Sequence, residues 1–239
     1  VVLNVYRWAI ERGQNVENPA EMVRPTTIAR FVPRDRALTP AEIDLMYTYM
    51  NRIGTSPQYR AAIKLLLLTL VRKSELSNAT WDEINFSEAL WTIPKERMKR
   101  RKPHLVFLSQ QAMDIFIALK TLAAGSKYVL PSRYDSDTPM SNATLNRVLT
   151  YTYKAAQKDG KPLAKFGPHD LRRTASTLLH EAGYNTDWIE KSLAHEQKGG
   201  RAIYNKAEYR EQRTEMLQDW ANMLDEWTSV NQEVEAYQA

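Results

Sequence analysis

With 239 residues, 43% hydrophobic content, six tryptophans and no cysteine, the chain is long enough for one large folded domain, or one domain plus part of another, and has no disulfide or cysteine–zinc framework. Its longest apolar run, "IKLLLLTLV" at 63–71, is broken by Lys64 and Thr69 and is far shorter than the roughly 20 residues of a membrane span, so it reads as a buried helix and speaks against a membrane partner. The net charge of +5 is unevenly spread: "KERMKRRK" (95–102) has six basic residues and one acidic, residues 158–173 add five basic, and 214–239 have six acidic residues with no Lys or Arg.

This asymmetry implies one face built for a polyanion and a C-terminal end turned away from it. The chain opens on Val1 with no signal peptide ahead of it, so the sequence reads as a piece of a longer, cytoplasmic protein. "VVLNVYRWAIERG" (1–13) has helical spacing and a glycine stop, and a proline- and base-rich linker follows. Thr39 as cap, Pro40 at the first helical position and Glu42 three residues after the cap mark the next helix. A further helix is predicted over Gln58–Val71 and a short one from Ser74.

"ALWTIP" (89–94) and "HLVFLS" (104–109) are short β-branched or aromatic runs on either side of the basic segment, which predicts a hairpin with a long charged loop. Helices are expected at 109–123, 142–157, 169–182, 186–194 and 202–227. The fold class is therefore α+β: mostly α-helical, with a small antiparallel β-sheet.

"GPHDLRRTASTLLHEAG" (167–183) places His169, Arg172 and Arg173 at the front of a helix, where positive charge opposes the macrodipole. An anion is the missing partner. Guanidinium forks bind phosphate oxygens bidentately and keep their charge. Breaking a phosphodiester also needs a nucleophile, a proton acceptor, a proton donor and charge stabilisation. Arg72, Arg172, His169, His195, Lys99 and Tyr204 supply that inventory. "HEAGY" (180–184) begins like a zinc-protease helix but lacks the second histidine, and no other metal-ligand cluster is evident.

Four stretches, "LVRKSEL", "RMKRRKPH", "HDLRRTAST" and "LAHEQKGGRAIYNKAEY", together resemble the motifs of the tyrosine recombinases, above all phage and genomic-island integrases of the P4 type. The resemblance covers about Leu38 to Leu224 and implies the DNA breaking–rejoining catalytic fold. It divides the chain into the end of a core-binding domain with its linker (1–35), a catalytic domain (36–227) and a C-terminal tail (228–239). It also implies the roles. Arg72 and Arg172 grip the scissile phosphate, and Glu75 positions an arginine. Lys99 protonates the departing 5′ oxygen, His169 assists proton removal and His195 donates to the phosphate. Tyr204 is the nucleophile that forms a 3′-phosphotyrosine.

Among the loop lysines, Lys95 and Lys102 compete with Lys99, and the match to "RMKRRKPH" favours Lys99. Arginine is a poor proton donor because its pKa exceeds about 12. Tyr209, five residues after Tyr204, points to another side of the same expected helix. Lys95, Arg97, Arg100, Arg101, Lys102 and Arg173 are candidate DNA contacts, with Arg173 equally readable as an ordinary surface residue. His104 and His180 have no counterpart in the family pattern and read as ordinary residues.

The implied partners are duplex DNA at attachment sites, further copies of the chain in a tetramer on DNA, and accessory DNA-bending or directionality proteins, with no metal and no cofactor. The implied activity integrates or excises a prophage or genomic island. A type IB topoisomerase, or a non-catalytic DNA-binding protein of the same fold, is the alternative, and a metal-dependent nuclease is disfavoured for want of clustered carboxylates. Leu217, Trp220, Leu224 and Trp227 form an apolar stripe at helical spacing, which packs either on its own domain or on a neighbouring protomer.

Overall fold

The structure, a computed structural model, describes residues 2–19, 21, 36–98, 101–195 and 207–237. The chain divides into two compact units, Val1–Asp35 and Arg36–Ala239. The first contains α1 (Val2–Glu11), which ends in a turn closed by Gly13 at φ +77°. The Arg12 guanidinium lies over the Trp8 ring, 4.1 Å from its centre.

The second unit begins with α2 (Pro40–Arg52). The Thr39 hydroxyl accepts from the Glu42 amide, and the Glu42 carboxylate accepts from the Thr39 amide, closing the capping box. Next comes α3 (Pro57–Thr69), in which Ala62, Ile63 and Leu65 through Leu68 are all buried. A helix apolar on nearly every side belongs at the centre of a domain, and α3 packs against α5 (Gln110–Leu122), α6 (Thr144–Lys158) and α7 (Pro168–Glu181). Leu70 ends α3 in the left-handed region at φ +59°, and the short α4 (Lys73–Ser77) follows at once.

The sheet contains β1 (Ile84–Asn85), β2 (Leu90–Ile93) and β3 (His104–Phe107), in the order β1-β2-β3 and antiparallel throughout. Ile93 pairs with His104 and Leu90 with Phe107, so the basic segment forms the connection of the β2–β3 hairpin. β1 was not expected: two residues are too few to show a period of two. Trp91 of β2 meets Phe116 of α5 edge-on, with ring centroids 5.8 Å apart, and this contact seats the sheet on the helical core.

After α8 (Thr186–Ser192) the chain closes with α9 (Arg210–Tyr237). The predicted 202–227 helix is corrected at both ends. Tyr209 lies at φ +50°, which breaks any helix arriving from upstream, and helical hydrogen bonding continues past Trp227. Residues 202–206 lie outside the described residues. Met216, Leu217, Trp220, Ala221 and Leu224 are buried against the second unit itself, and the Trp220 indole donates to the Leu67 carbonyl at 2.8 Å. The stripe therefore packs on its own domain. No helix among the described residues is long and apolar enough to cross a membrane.

Candidate active site

Arg72 sits at the junction of α3 and α4. Its amide donates to Glu75 Oε2 at 2.7 Å and its Nη1 to Glu75 Oε1 at 2.7 Å, so one buried carboxylate caps the helix and orients the guanidinium. Arg72 keeps 39% of its side chain exposed, whereas Glu75 keeps 5%. The arginine is held through Nη1 yet keeps part of its side chain open to solvent.

Arg172, one turn into α7, is buried. Its Nη1 donates to the carbonyl of Leu70 and its Nη2 to that of Leu193. Two acceptors from separate parts of the chain, one on each terminal nitrogen, fix the plane of the fork. Burial, and after it the charge of Arg72, lowers the Arg172 pKa to about 10, while Glu75 and Glu190 oppose the shift. The side chain is still charged at neutral pH, and its nearest electrostatic opponent is the other arginine.

At the front of α7, Asp170 rather than an external anion caps the helix: its Oδ2 accepts from the Gly167 amide at 2.9 Å. Arg173 lies 3.7 Å from Asp170 Oδ1. His169 flanks the two, and its pKa is held below the usual imidazole value first by partial desolvation, then by Arg173 and Arg172. His195 lies just beyond α8. Its Nδ1 is 3.1 Å from Glu190 Oε2. This contact lowers the Glu190 pKa, so the carboxylate is ionised and accepts from Nδ1–H, which makes Nε2 the ring nitrogen available to another partner.

The basic segment does not behave as one surface. Lys95 is exposed, with only a 4.0 Å approach to Glu96. Arg101, at φ +51°, and Lys102 are also exposed. Arg97 instead turns inward, donating to the Glu75 carbonyl at 2.9 Å and pairing with Glu83, which also accepts from the Trp91 indole at 2.9 Å. Its guanidinium ties the hairpin to the helix that orients Arg72. Lys99, Arg100 and Tyr204 lie outside the described residues.

Two residues that the sequence reading passed over belong to this cluster. His104, ordinary by its sequence context, is buried at the start of β3 among Arg213, Arg172 and Arg72. Its ring hydrogen-bonds the Ser192 backbone, and burial followed by those arginines pushes its pKa down to about 3. Arg213 is 1% exposed. A signal for it was present: 213, 216, 217, 220 and 224 share one helical face, so a lone charge stands on an apolar stripe. Among the described residues, no group of three His, Cys, Asp or Glu is arranged to hold a metal ion.

The model of the phage integrase family matches residues 36–211. The chain belongs to the phage integrase family. Prophage integrase IntZ of Escherichia coli K12 is 36% identical over 222 residues, covering 92% of this chain and 53% of the relative. The integrase of enterobacteria phage P4 is 33% identical over 243 residues, covering 94% and 53%. This integrase-family chain thus spans about half the length of the curated relatives it matches. Among solved structures, the Tn1549 transposon integrase in complex with a circular intermediate DNA superposes with a TM-score of 0.66 at 18% identity, covering 90% of this chain and 75% of that one. That likeness establishes the recombinase fold expected from the motifs.

Proposed function

We propose that this chain is the catalytic part of a tyrosine-type site-specific DNA recombinase that cleaves and rejoins duplex DNA at attachment sites. The observation that carries the reading is the pairing of Arg72 and Arg172. Main-chain and carboxylate contacts hold the two guanidiniums close enough that the charge of Arg72 lowers the pKa of Arg172. A shared phosphate relieves that repulsion, most strongly when charge accumulates on its oxygens in the transition state.

In this scheme the Tyr204 oxygen attacks phosphorus and the phosphorus–O5′ bond breaks. The phenolic proton leaves toward His169, whose lowered pKa keeps it an unprotonated acceptor at neutral pH. Lys99 gives a proton to the departing 5′ oxygen, and His195, oriented by Glu190, donates to the phosphate. The 3′-phosphotyrosine retains the bond energy, and a 5′ hydroxyl from another strand reverses the steps. Guanidinium charge does the work that a metal does in other phosphoryl enzymes, so no cofactor is called for.

The same reading assigns residues 1–35 to the end of a core-binding domain and its linker, 36–227 to catalysis and 228–239 to a tail. It places the protein in the cytoplasm, on DNA as a tetramer with accessory DNA-bending or directionality proteins, acting on a prophage or genomic island. Lys95, Arg100, Arg101, Lys102 and Arg173 are its proposed DNA contacts.

A nicked suicide substrate tests the chemistry. A covalent protein–DNA adduct is expected with the unmodified chain, is expected to survive EDTA, and is expected to vanish in Tyr204→Phe. An adduct that persists in Tyr204→Phe would overturn the nucleophile assignment. Relaxation of supercoiled DNA without strand exchange would move the reading to a type IB topoisomerase.

A further inference from the structure

The first basic residue of α9 to point inward, Arg213, makes contacts that none of the roles above requires. Its Nε donates to Ser192 Oγ at 3.1 Å, its Nη1 to the Glu208 carbonyl at 3.2 Å, and its Nη2 to the Leu105 carbonyl at 2.6 Å. The guanidinium also lies 4.7 Å from the centre of the Phe107 ring. Leu105 and Phe107 belong to β3, Ser192 ends α8, and Glu208 lies in the segment leading into α9.

Three parts of the chain therefore meet at one side chain. β3 follows the loop that contains Lys99. The end of α8 supplies the Leu193 carbonyl that holds Arg172, and His195 lies two residues beyond it. Glu208 is four residues after Tyr204 in the chain. A second link runs beside the first: His104 of β3 hydrogen-bonds the backbone of Ser192, the residue whose hydroxyl receives Arg213.

Burying an arginine is costly, and well-packed apolar residues serve stability as well or better. An apolar side chain cannot specify the positions of three separate acceptors, whereas a planar fork with five donors can. The energetic expense thus points to placement of neighbouring parts rather than to fold stability. Burial lowers the Arg213 pKa to about 10, which leaves it charged and able to donate throughout the neutral range.

We propose that Arg213 is a positioning residue that docks the β2–β3 hairpin, and with it the Lys99 loop, onto the α8 turn and the segment following Tyr204. This rests on the recombinase reading given above. Its catalytic consequence is specific: without the dock, the proton donor is misplaced relative to the departing oxygen, while phosphate binding by Arg72 and Arg172 persists.

Single-turnover cleavage by the full chain, at saturating nicked DNA, tests this with two substrates that differ only in the 5′ leaving atom. A bridging sulfur departs as thiolate and needs no proton donor; the normal oxygen does. In Arg213→Lys and Arg213→Met, cleavage of the oxygen substrate is expected to fall about tenfold or more, and that of the sulfur substrate by less than about threefold. Lys99→Ala is the reference for this pattern. A variant that is merely less folded loses both rates alike, and equal loss, or no loss, overturns the proposal.

Amide hydrogen exchange supplies a readout that does not depend on the chemistry. In Arg213→Lys, amides of β2 and β3 are expected to exchange about tenfold faster, with those of α3 unchanged. If Lys99→Ala leaves the sulfur-to-oxygen ratio at its unmodified value, the Lys99 assignment has failed, and exchange alone then decides the docking role. Unaltered exchange in the hairpin overturns it.

Discussion

Arg172 of α7 donates to the main-chain carbonyl of Leu70, two residues before Arg72, and so ties the second arginine of the cluster to the turn that presents the first. Leu70 is buried and sits at φ +59°, a conformation disfavoured for a residue with a Cβ. That turn ends α3 and lets Arg72 take the cap position of α4 immediately afterwards.

The consequence is a test of the fork. Lysine keeps the charge of Arg172 but has donors at only one point, so it cannot reach the Leu70 and Leu193 carbonyls together. Arg172→Lys is expected to slow adduct formation about a hundredfold or more. Leaving one buried carbonyl without its donor is expected to lower unfolding free energy by about 1–3 kcal/mol, read from denaturant melts. A variant as stable as the parent but inactive would show that the carbonyl contacts carry no stability.

Arg173 is the first-ranking charge that depresses His169, after desolvation. Arg173→Gln is therefore expected to raise the His169 pKa, measured by NMR titration of the DNA-free protein. The acid limb of the cleavage profile is expected to move to higher pH with it, because a higher pKa means the base is protonated sooner as pH falls. An unmoved titration would show that Arg173 does not act on His169, leaving the proposed DNA contact as its role.

His104 gives the second pH effect, on stability. Its folded-state pKa of about 3 is below the ordinary value of 6.5, so the unfolded chain takes up a proton that the folded chain refuses. Stability from this residue is complete above about pH 6.5 and declines as pH falls toward 3, by about 1.4 kcal/mol per unit at most. The His104→Gln variant removes that proton uptake. The stability difference between parent and variant is expected to shrink or reverse across this window in denaturant melts at successive pH values, and a pH-independent difference would contradict it.

These residues show where sequence reading succeeds and where it stops. The α2 cap was legible because Thr39, Pro40 and Glu42 act within one turn. The centre of the domain was legible because α3 is apolar on almost every side. Arg72 and Arg172 could be found through family motifs, but their coupling through Leu70 spans 102 positions and depends on a backbone conformation that no residue type announces. Arg97 looked like one more charge in a basic run, yet only the packed position of Glu83 turns it inward. The start of α9 was misplaced because Tyr209, an ordinary helix residue by propensity, adopts positive φ.

Glu190 bears the last prediction. It reaches His195 twice, through Oε2 to Nδ1 at 3.1 Å and through its carbonyl to the His195 amide at 2.9 Å. The main-chain contact survives any substitution, so the side-chain contact can be tested separately. With the carboxylate gone, the imidazole loses the acceptor that fixes its tautomer and its orientation toward the phosphate. Glu190→Ala is therefore expected to slow cleavage about tenfold to a hundredfold at saturating DNA. Glu190→Gln keeps an oxygen acceptor for Nδ1–H and is expected to recover most of that loss. DNA affinity is expected to stay within about twofold for both, since the interaction is used in the transition state rather than in binding. Equal damage from alanine and glutamine would mean that the negative charge matters and the tautomer does not. No damage from either would remove the Glu190 side chain from the reaction and leave His195 oriented by its backbone alone.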